Sequence, residues 1–233
     1  MKDVDLLFVD ADVVVINKPS GLLVHRGWAN DHDVAMFRVR DATGAHVYPV
    51  HRLDRGTSGA LVFARTRDAA AILSLAFESR QVDKRYLALV RGAPAASGTI
   101  DYPLTKSGEG DGPRVPAVTR FSLVARSTVD RCSLVLAIPE TGRGHQIRRH
   151  LRHLGHPLVG DVNYGNGDIN RHYRAAYDLR RLALHAHAVA FDHPVSGARV
   201  AITAPMPDDL GLALERLALP RAPVERSDDG LPV

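Results

Sequence analysis

Segment 51–59, which reads HRLDRGTSG, places one carboxylate between two arginines on a stretch rich in turn-forming residues. Arg52 and Arg55 lie two positions before and one position after Asp54, so their charges favour the ionised carboxylate and predict a lowered pKa if the side chains converge. An ionised carboxylate can attack carbon as a nucleophile. The sequence therefore predicts a nucleophilic Asp54, with a solvated ion pair in a surface turn as the simpler alternative.

The residues that follow Asp54 predict how it is positioned. Thr57, Ser58 and Gly59 favour a turn through local hydrogen bonds and permissive backbone angles. The next five residues, 60–64, are apolar and predict a short buried strand. Asp54 should therefore lie on a loop that leads into a core strand.

Segment 141–155 predicts a basic helix with two different faces. Ile147, Leu151 and Leu154 recur at the spacing of an apolar helical stripe, and Gly155 supplies a stop. The loop before the helix lies at its positive end, where free N–H groups and the helix dipole favour phosphate. An ordinary solvated basic face is the alternative. The side chains that project from the other faces are His145, Arg148, Arg149 and Arg152.

These two segments and several others resemble, in order, the motifs of the RluA-type pseudouridine synthases, RNA-modifying enzymes that convert uridine into its C-glycoside isomer. The resemblance spans roughly residues 4–210. The Arg148-Arg149-His150 run, the Asn170-Arg171 pair and the short segment 104–119 are most similar to the tRNA pseudouridine synthase C group, which favours tRNA over ribosomal RNA as the expected partner. The further motifs are KPSGLLVH at 18–25, KRYLALVRG at 84–92, GHPLVGD at 155–161, LHA at 184–186 and HP at 193–194.

The resemblance implies roles for individual residues and implies no metal or cofactor. Asp54 corresponds to the nucleophile that begins cleavage of the glycosidic bond, either by adding to C6 of uracil or by attacking ribose C1′. Tyr86 corresponds to the active-site tyrosine, and Arg148 to the arginine that pairs with the aspartate. Arg52 is assigned to holding RNA open around an extruded nucleotide, although it could equally be an ion-pair partner of Asp54. The other expected RNA contacts are Arg55, Lys84, Arg143, His145 and Gln146.

Strand periodicity around Tyr86 permits the same assignment without the resemblance. A strand sends alternate side chains to opposite faces. A tyrosine ring at a strand start can stack on an extruded base, with its hydroxyl near C5 as a proton acceptor, whereas a core tyrosine is the alternative. One face would carry Lys84, Tyr86, Ala88 and Val90, and the other Arg85, Leu87 and Leu89.

Arginine dominates the basic residues, since only four of the 30 are lysine. Guanidinium groups favour bidentate phosphate contacts and stacking. Segment 140–181 holds eight arginines against four acids, a surplus equal to the net charge of +4 of the whole chain. This uneven charge agrees with an RNA partner, and such binding weakens with salt.

A chain of 233 residues with 45% hydrophobic content can bury one sizeable core. We expect one pseudouridine synthase-like catalytic domain over 1–220 and a disordered tail at 221–233. Strand patterns outnumber helical ones, which predicts an α+β fold with a mostly antiparallel mixed β-sheet and flanking helices and loops. The single Cys132 excludes an internal disulfide, and the sequence shows no signal peptide or membrane span, so a cytoplasmic location is expected. The sequence does not determine the oligomeric state, and a monomer is favoured.

The predicted elements have local signals. Asp10 to Asp12 separates two apolar runs and predicts a hairpin, and 67–79 has helical spacing. Segment 107–112 predicts a mobile loop whose glycines lack the lysine and helix of a P-loop. Further strands are predicted at 86–90, 133–138, 182–191 and 199–203.

Three other classes of function have weaker support in the sequence. Twelve histidines allow a zinc hydrolase, but no acid-flanked pair occurs, and arginines crowd the cluster of His145, His150, His153 and His156. A serine hydrolase using Ser58 lacks the nucleophile-elbow pattern. A non-catalytic RNA-binding module would use the same basic charge and aromatic rings, yet it has no need for a carboxylate such as Asp54 facing phosphate.

Overall fold

The computed structural model describes residues 4–26, 33–105 and 112–223. These residues form twelve strands and five helices, which confirms the α+β class. The strands are β1 (Asp5–Val9), β2 (Val13–Lys18), β3 (Tyr48–Pro49), β4 (Ser58–Ala64), β5 (Asp83–Arg91), β6 (Ser97–Asp101), β7 (Leu104–Thr105), β8 (Arg114–Val115), β9 (Val118–Arg126), β10 (Cys132–Pro139), β11 (Leu184–Asp192) and β12 (Arg199–Thr203). The helices are α1 (Ala35–Thr43), α2 (Arg67–Glu78), α3 (Gln146–His153), α4 (Gly167–Tyr177) and α5 (Asp208–Arg216).

The chain divides into two compact units, and the first comprises 4–84 with Ala186–Pro205. Its strands follow the order β1-β2-β4-β11, with β3 also paired to β4 and β12 to β11. β1 and β2 form the predicted antiparallel hairpin. Helix α2 places Ala69 and Leu73 in the core of this unit with Val62 and Phe191. Burial of this apolar stripe is what stabilises an amphipathic helix on a sheet.

The second unit comprises Arg85–His185 with 206–223. Its strands follow the order β5-β10-β9-β6 through antiparallel ladders, and β7 and β8 form a separate ribbon. Leu87 and Leu89 of β5 belong to the cluster that α4 and α5 cover. Ala88 and Val90 belong to a second cluster, with residues of α3. The predicted alternation of faces along this strand is therefore confirmed.

Gly59, the second residue of β4, adopts a conformation that requires glycine. Its φ of +112° lies in the region that L side chains rarely adopt, and a Cβ there would lie 2.2 Å from the carbonyl oxygen of Ala186. The turn residues Thr57 and Ser58 are buried just before it. The backbone of β11 therefore passes too close for any side chain at the strand start that follows Asp54.

The predicted strands are confirmed, with ends that differ by at most three residues, and α2 ends one residue before the predicted end. The stripe prediction is wrong at Leu154, because α3 ends at His153 and Leu154 is 40% exposed. Most of the predicted loop 107–112 and of the predicted tail 221–233 lies outside the described residues, and the single domain over 1–220 stays a prediction. No helix within the described ranges is both long and apolar enough to cross a membrane.

Candidate active site

Asp54 lies on the loop between β3 and β4, and it is half-buried. Its carbonyl accepts a hydrogen bond from the N–H of Thr57 at 3.0 Å, which closes a turn. The neighbouring Arg55 exchanges two bonds with Gly21: Gly21 N–H donates to the Arg55 carbonyl at 2.8 Å, and Arg55 Nε donates to the Gly21 carbonyl at 2.9 Å. The backbone around Asp54 is thus bound to the loop that follows β2.

Lys18, at the end of β2, stabilises the same contact from inside the protein. Its side chain is fully buried, and Nζ donates to the carbonyl oxygens of Pro19 at 2.9 Å, Leu22 at 2.8 Å and Arg55 at 3.3 Å. A buried ammonium group is tolerated only when its donors are satisfied. One ammonium group therefore connects the loop after β2 to the residue next to Asp54.

His51 connects the start of this segment to β4. Its Nε2 accepts the N–H of Val62 at 2.9 Å, and its ring stacks on Phe77 at a centroid distance of 4.3 Å. Burial, together with the positive charge of Lys84, lowers the pKa of His51 to about 3. Because Nε2 accepts a hydrogen bond from the Val62 N–H, the neutral ring carries its proton on Nδ1.

The two arginines that flank Asp54 differ in environment. Arg55 is bound to Gly21 as described, although most of its side chain is exposed. Arg52 is exposed and makes no hydrogen bond or ion pair with any residue in the described part of the chain. The alternative that Arg52 is an ion-pair partner of Asp54 is therefore wrong.

Lys84 and Tyr86 lie near the start of β5. Burial lowers the pKa of Lys84, Arg80 adds to this effect, and the adjacent Asp83 opposes it. Tyr86 is half-buried and packs beside the core cluster that contains Ala88. Tyr86 therefore keeps some accessible surface, which a fully buried core tyrosine would not.

Arg148 of α3 forms a bidentate ion pair with Asp161. Its Nε and Nη2 donate to the two carboxylate oxygens at 2.7 and 2.8 Å, and the two side chains are 8% and 0% exposed. Burial alone would raise the pKa of the Asp161 carboxyl, but Arg148 and the N–H groups of Tyr164 and Asn163 hold it below its usual value. Asp161 has no role predicted from the sequence, although it is the last residue of the motif at 155–161.

The N-terminal end of α3 differs from the prediction at Gln146. Its side chain is buried, and Oε1 accepts from Thr141 Oγ1 at 2.6 Å and from the Arg143 N–H at 3.0 Å. Nε2 donates to the Val118 carbonyl and to Thr119 Oγ1. All four hydrogen-bonding positions of the amide are used inside the protein, so the prediction that Gln146 contacts RNA is wrong.

His145 and Arg143 are half-buried at this helix end and keep surface that a ligand can reach. His145 adopts a φ of +54°, and its Nδ1 lies 3.0 Å from the hydroxyl of Tyr164. Arg143 donates from Nε to the Pro116 carbonyl at 3.1 Å. Arg152 lies with its Cζ 6.0 Å from the Tyr164 ring centroid.

Comparison with known proteins decides the family. A family model described as RNA pseudouridylate synthase matches residues 12–153. The tRNA pseudouridine synthase C of Pasteurella multocida is 42% identical over 219 residues, which cover 86% of this chain and 90% of that protein. The corresponding protein of Yersinia pestis is 40% identical, with coverage of 86% and 85%. The chain belongs to the RNA pseudouridylate synthase family.

Solved structures of pseudouridylate synthase domains share the fold of this synthase. Human RNA pseudouridylate synthase domain containing 4 is similar with a TM-score of 0.74 and 28% identity, over 93% of this chain and 94% of that one. Human RNA pseudouridylate synthase domain containing 1 gives a TM-score of 0.75 and 28% identity, over 91% and 87%. The predicted family and α+β fold are confirmed, and this chain is an enzyme that isomerises uridine in RNA.

The alternative hydrolase assignments do not fit the side chains of this synthase. Ser58 is fully buried. His150 is also buried, with Nδ1 2.9 Å from Thr119 Oγ1 and Nε2 2.9 Å from the Tyr102 carbonyl. His156 is bound through Nδ1 to the Arg91 carbonyl. The predicted histidine cluster therefore does not converge on a zinc ion.

The described residues contain one group whose ligand atoms lie within 4.8 Å of one another: Asp10, Asp12 and His193. Asp10 Oδ1 accepts the N–H groups of residues 12 and 13, and Oδ2 lies 2.8 Å from His193 Nε2. His193 Nδ1 accepts two further N–H groups, from Val195 and Ser196. Nε2 must then carry the proton that Asp10 accepts, so this group is a hydrogen-bonded turn that does not suit a cation.

Proposed function

We propose that this synthase isomerises uridine in tRNA, with Asp54 as the nucleophile and Arg52, Tyr86 and Arg148 as the residues that act beside it. The observation that carries the proposal is the construction of the Asp54 loop. Hydrogen bonds close the turn from Asp54 to Thr57 and hold the neighbouring Arg55, while Arg52, two positions before this half-buried carboxylate, is exposed and unpaired within the described residues. A fixed nucleophile beside an unengaged cation suits attack on an extruded nucleotide.

The proposed chemistry needs no outside reactant. The carboxylate of Asp54 adds to C6 of uracil or attacks ribose C1′, and the bond from N1 to C1′ breaks. The base then rotates, C5 bonds to C1′, and the carboxylate is released. C5 loses its hydrogen as a proton, for which the Tyr86 hydroxyl is the proposed acceptor, and N1 gains a proton.

Basic side chains supply the proposed contacts with RNA. Arg143 and His145 at the start of α3, with Arg55 and Lys84, are the expected contacts that the structure leaves at least partly accessible. Arg52 would fill the space that the extruded nucleotide leaves, which offsets a cost of a few kcal/mol. Arg148 would supply the positive charge that, by the resemblance, pairs with the carboxylate of the nucleophile.

The choice of tRNA rests on two relatives named tRNA pseudouridine synthase C, each matched over more than four fifths of its own length. The net charge of +4 agrees with an RNA substrate of either class. Cys132 is buried and unpaired, which fits a reducing compartment, and we propose the cytoplasm as the location of this enzyme.

Release of tritium from RNA that is labelled at uridine C5 tests the proposal, because C5 loses its hydrogen in the reaction. We expect wild-type protein to release tritium from unmodified tRNA and not from ribosomal RNA. Asp54→Ala should lower the rate more than about 1,000-fold, as loss of a covalent nucleophile does. Asp54→Asn, which keeps the size of the side chain, should be equally inactive.

RNA affinity, measured by filter binding, serves as the control and should change little in either Asp54 variant. Tritium release by Asp54→Ala at the wild-type rate would eliminate the proposed nucleophile. Release from ribosomal RNA alone would overturn the choice of tRNA and leave the family assignment intact.

A further inference from the structure

We propose that Asp161 is a positioning residue of the isomerisation: it fixes the direction in which Arg148 presents its guanidinium group. The inference rests on the proposed role of Arg148 in the reaction. It adds a residue that would touch neither the RNA nor the reacting atoms, since Asp161 is only 1% exposed.

The ion pair fixes the plane of the guanidinium group. Asp161 binds the edge formed by Nε and Nη2 through two bonds of 2.7 and 2.8 Å. Two parallel bonds of this kind restrict rotation as well as distance. The Nη1 end of Arg148 is consequently directed away from Asp161.

Asp161 is itself held by its own turn. Its Oδ1 also accepts the N–H groups of Asn163 and Tyr164, both at 3.0 Å. Asn170 of α4 holds the backbone on each side, since its Nδ2 donates to the Asp161 carbonyl at 2.9 Å and its Oδ1 accepts the Gly160 N–H at 2.9 Å. The carboxylate therefore has a fixed position against which Arg148 is oriented.

Gly160 allows this turn to pack closely against the chain at Arg181. Its φ is +77°, and a Cβ at this position would lie 1.8 Å from the Arg181 carbonyl oxygen. Any side chain here would displace the turn that carries Asp161. Gly59, beside the Asp54 loop, is the other described glycine that combines a positive φ with a backbone atom too close for a Cβ.

Tyr164 restrains one face of the Arg148 guanidinium group, while Asp161 binds its edge. Its ring centroid lies 5.0 Å from Arg148 Cζ, within the range of a cation–π contact. The Tyr164 hydroxyl lies 3.0 Å from His145 Nδ1 at the start of the same helix. Arg148 is thus restrained at one edge by a carboxylate and on one face by a ring.

Such restraint matters because a displacement of about 1 Å in a reacting group can cost about 100-fold in rate. The Arg148–Asp161 pair is formally neutral, so Asp161 adds no net charge for RNA. Its loss should therefore change the rate of the chemical step and leave RNA affinity nearly unchanged. A residue that only stabilised the fold would change neither property of the folded enzyme.

The test compares Asp161→Asn with wild-type protein in single-turnover tritium release, with enzyme in saturating excess over tRNA. The observed rate constant is then independent of the fraction of protein that is folded. We expect Asp161→Asn to be about 100-fold slower, with the Kd for tRNA unchanged within about twofold. Asp209→Asn is the matched control, because it removes the carboxylate from Arg181, which is 7% exposed, and it should react at the wild-type rate.

Asp161→Glu keeps the experiment decisive if Asp161→Asn does not fold. Glutamate retains the charge but extends the carboxylate by one methylene, so the rate should fall about tenfold in a folded enzyme. A wild-type rate constant for either folded Asp161 variant, or a loss confined to tRNA affinity, would overturn the positioning role. Absence of tritium release by wild-type protein from any RNA would instead contradict the proposed function.

Discussion

The Asp54 loop and the surroundings of Arg148 are held in place by different interactions. Around Asp54 the restraints are bonds to backbone carbonyl groups, and one buried ammonium group, that of Lys18, donates three of them. Around Arg148 the main restraint is an ion pair between two side chains. Backbone acceptors remain after any substitution, whereas both members of an ion pair can be replaced together.

This difference predicts how each region tolerates mutation. A carbonyl group that loses its donor stays buried and unsatisfied, because no substitution at another position removes it. An ion pair that loses one member leaves a buried charge, but a second substitution can remove that charge. The stability that is lost when Lys18 is replaced should therefore not be recovered by a second substitution. Stability that is lost at the ion pair should be recovered when its other member is also replaced.

The largest effect is expected for Lys18→Met, which removes the donor to the carbonyl groups of Pro19 and Leu22. We expect the free energy of unfolding in urea to fall by about 3 kcal/mol or more. Lys84→Met makes the same chemical change at a lysine that donates no hydrogen bond to another described residue. The free energy of unfolding should therefore fall much less in Lys84→Met than in Lys18→Met. Equal losses in the two variants would show that the three bonds do not stabilise the loop.

A smaller effect, the partial recovery of stability in a double variant, separates the two regions directly. Asp161→Asn should lose about 3 kcal/mol, because it leaves the buried Arg148 without this counter-charge. The double variant Arg148→Gln/Asp161→Asn replaces the ion pair by two neutral amides and should regain about half of that loss. Urea unfolding of the three proteins measures the recovery. A double variant less stable than Asp161→Asn would contradict the distinction between the regions.

Local patterns predicted the elements well. Alternation along residues 84–90 assigned both faces of β5, since the core clusters contain the residues expected on each. Helical spacing located α2 and placed Ile147 and Leu151 in the core, but it failed at Leu154, beyond the end of α3. Helices α1, α4 and α5 were not predicted, although Asn166 is a capping residue at the start of α4.

The restraints on the site residues could not be predicted, because they join residues far apart in sequence. A lone lysine is usually exposed, yet Lys18 is fully buried. One of its three acceptors, the Arg55 carbonyl, lies 37 residues away in sequence. Asp161 lies in the turn that follows α3, 13 residues after Arg148. No periodicity reports such contacts. The resemblance drew attention to both motifs but assigned no role to either residue.

The smallest expected effect concerns pH and the attachment of the Asp54 loop to β4. The pKa of His51 is about 3 in the folded protein, whereas an imidazole in the unfolded chain titrates near about 6.5. Between these values only the unfolded chain takes up the proton, so stability should fall as pH decreases from about 6.5 toward 3. This site contributes at most about 1.4 kcal/mol per pH unit.

His51→Asn, which keeps an acceptor for the Val62 N–H, should therefore show a shallower decline of unfolding free energy between about pH 6.5 and 5. His46→Asn is the control, since His46 is exposed and its replacement should leave the slope unchanged. The Asp10 and Asp161 carboxyls have lowered pKa values in the folded protein. Their protonation therefore reduces stability only at more acidic pH, near and below the usual carboxyl range. An unaltered slope in His51→Asn would show that the neutral ring does not fasten the loop to β4, which would leave Lys18 as its principal restraint.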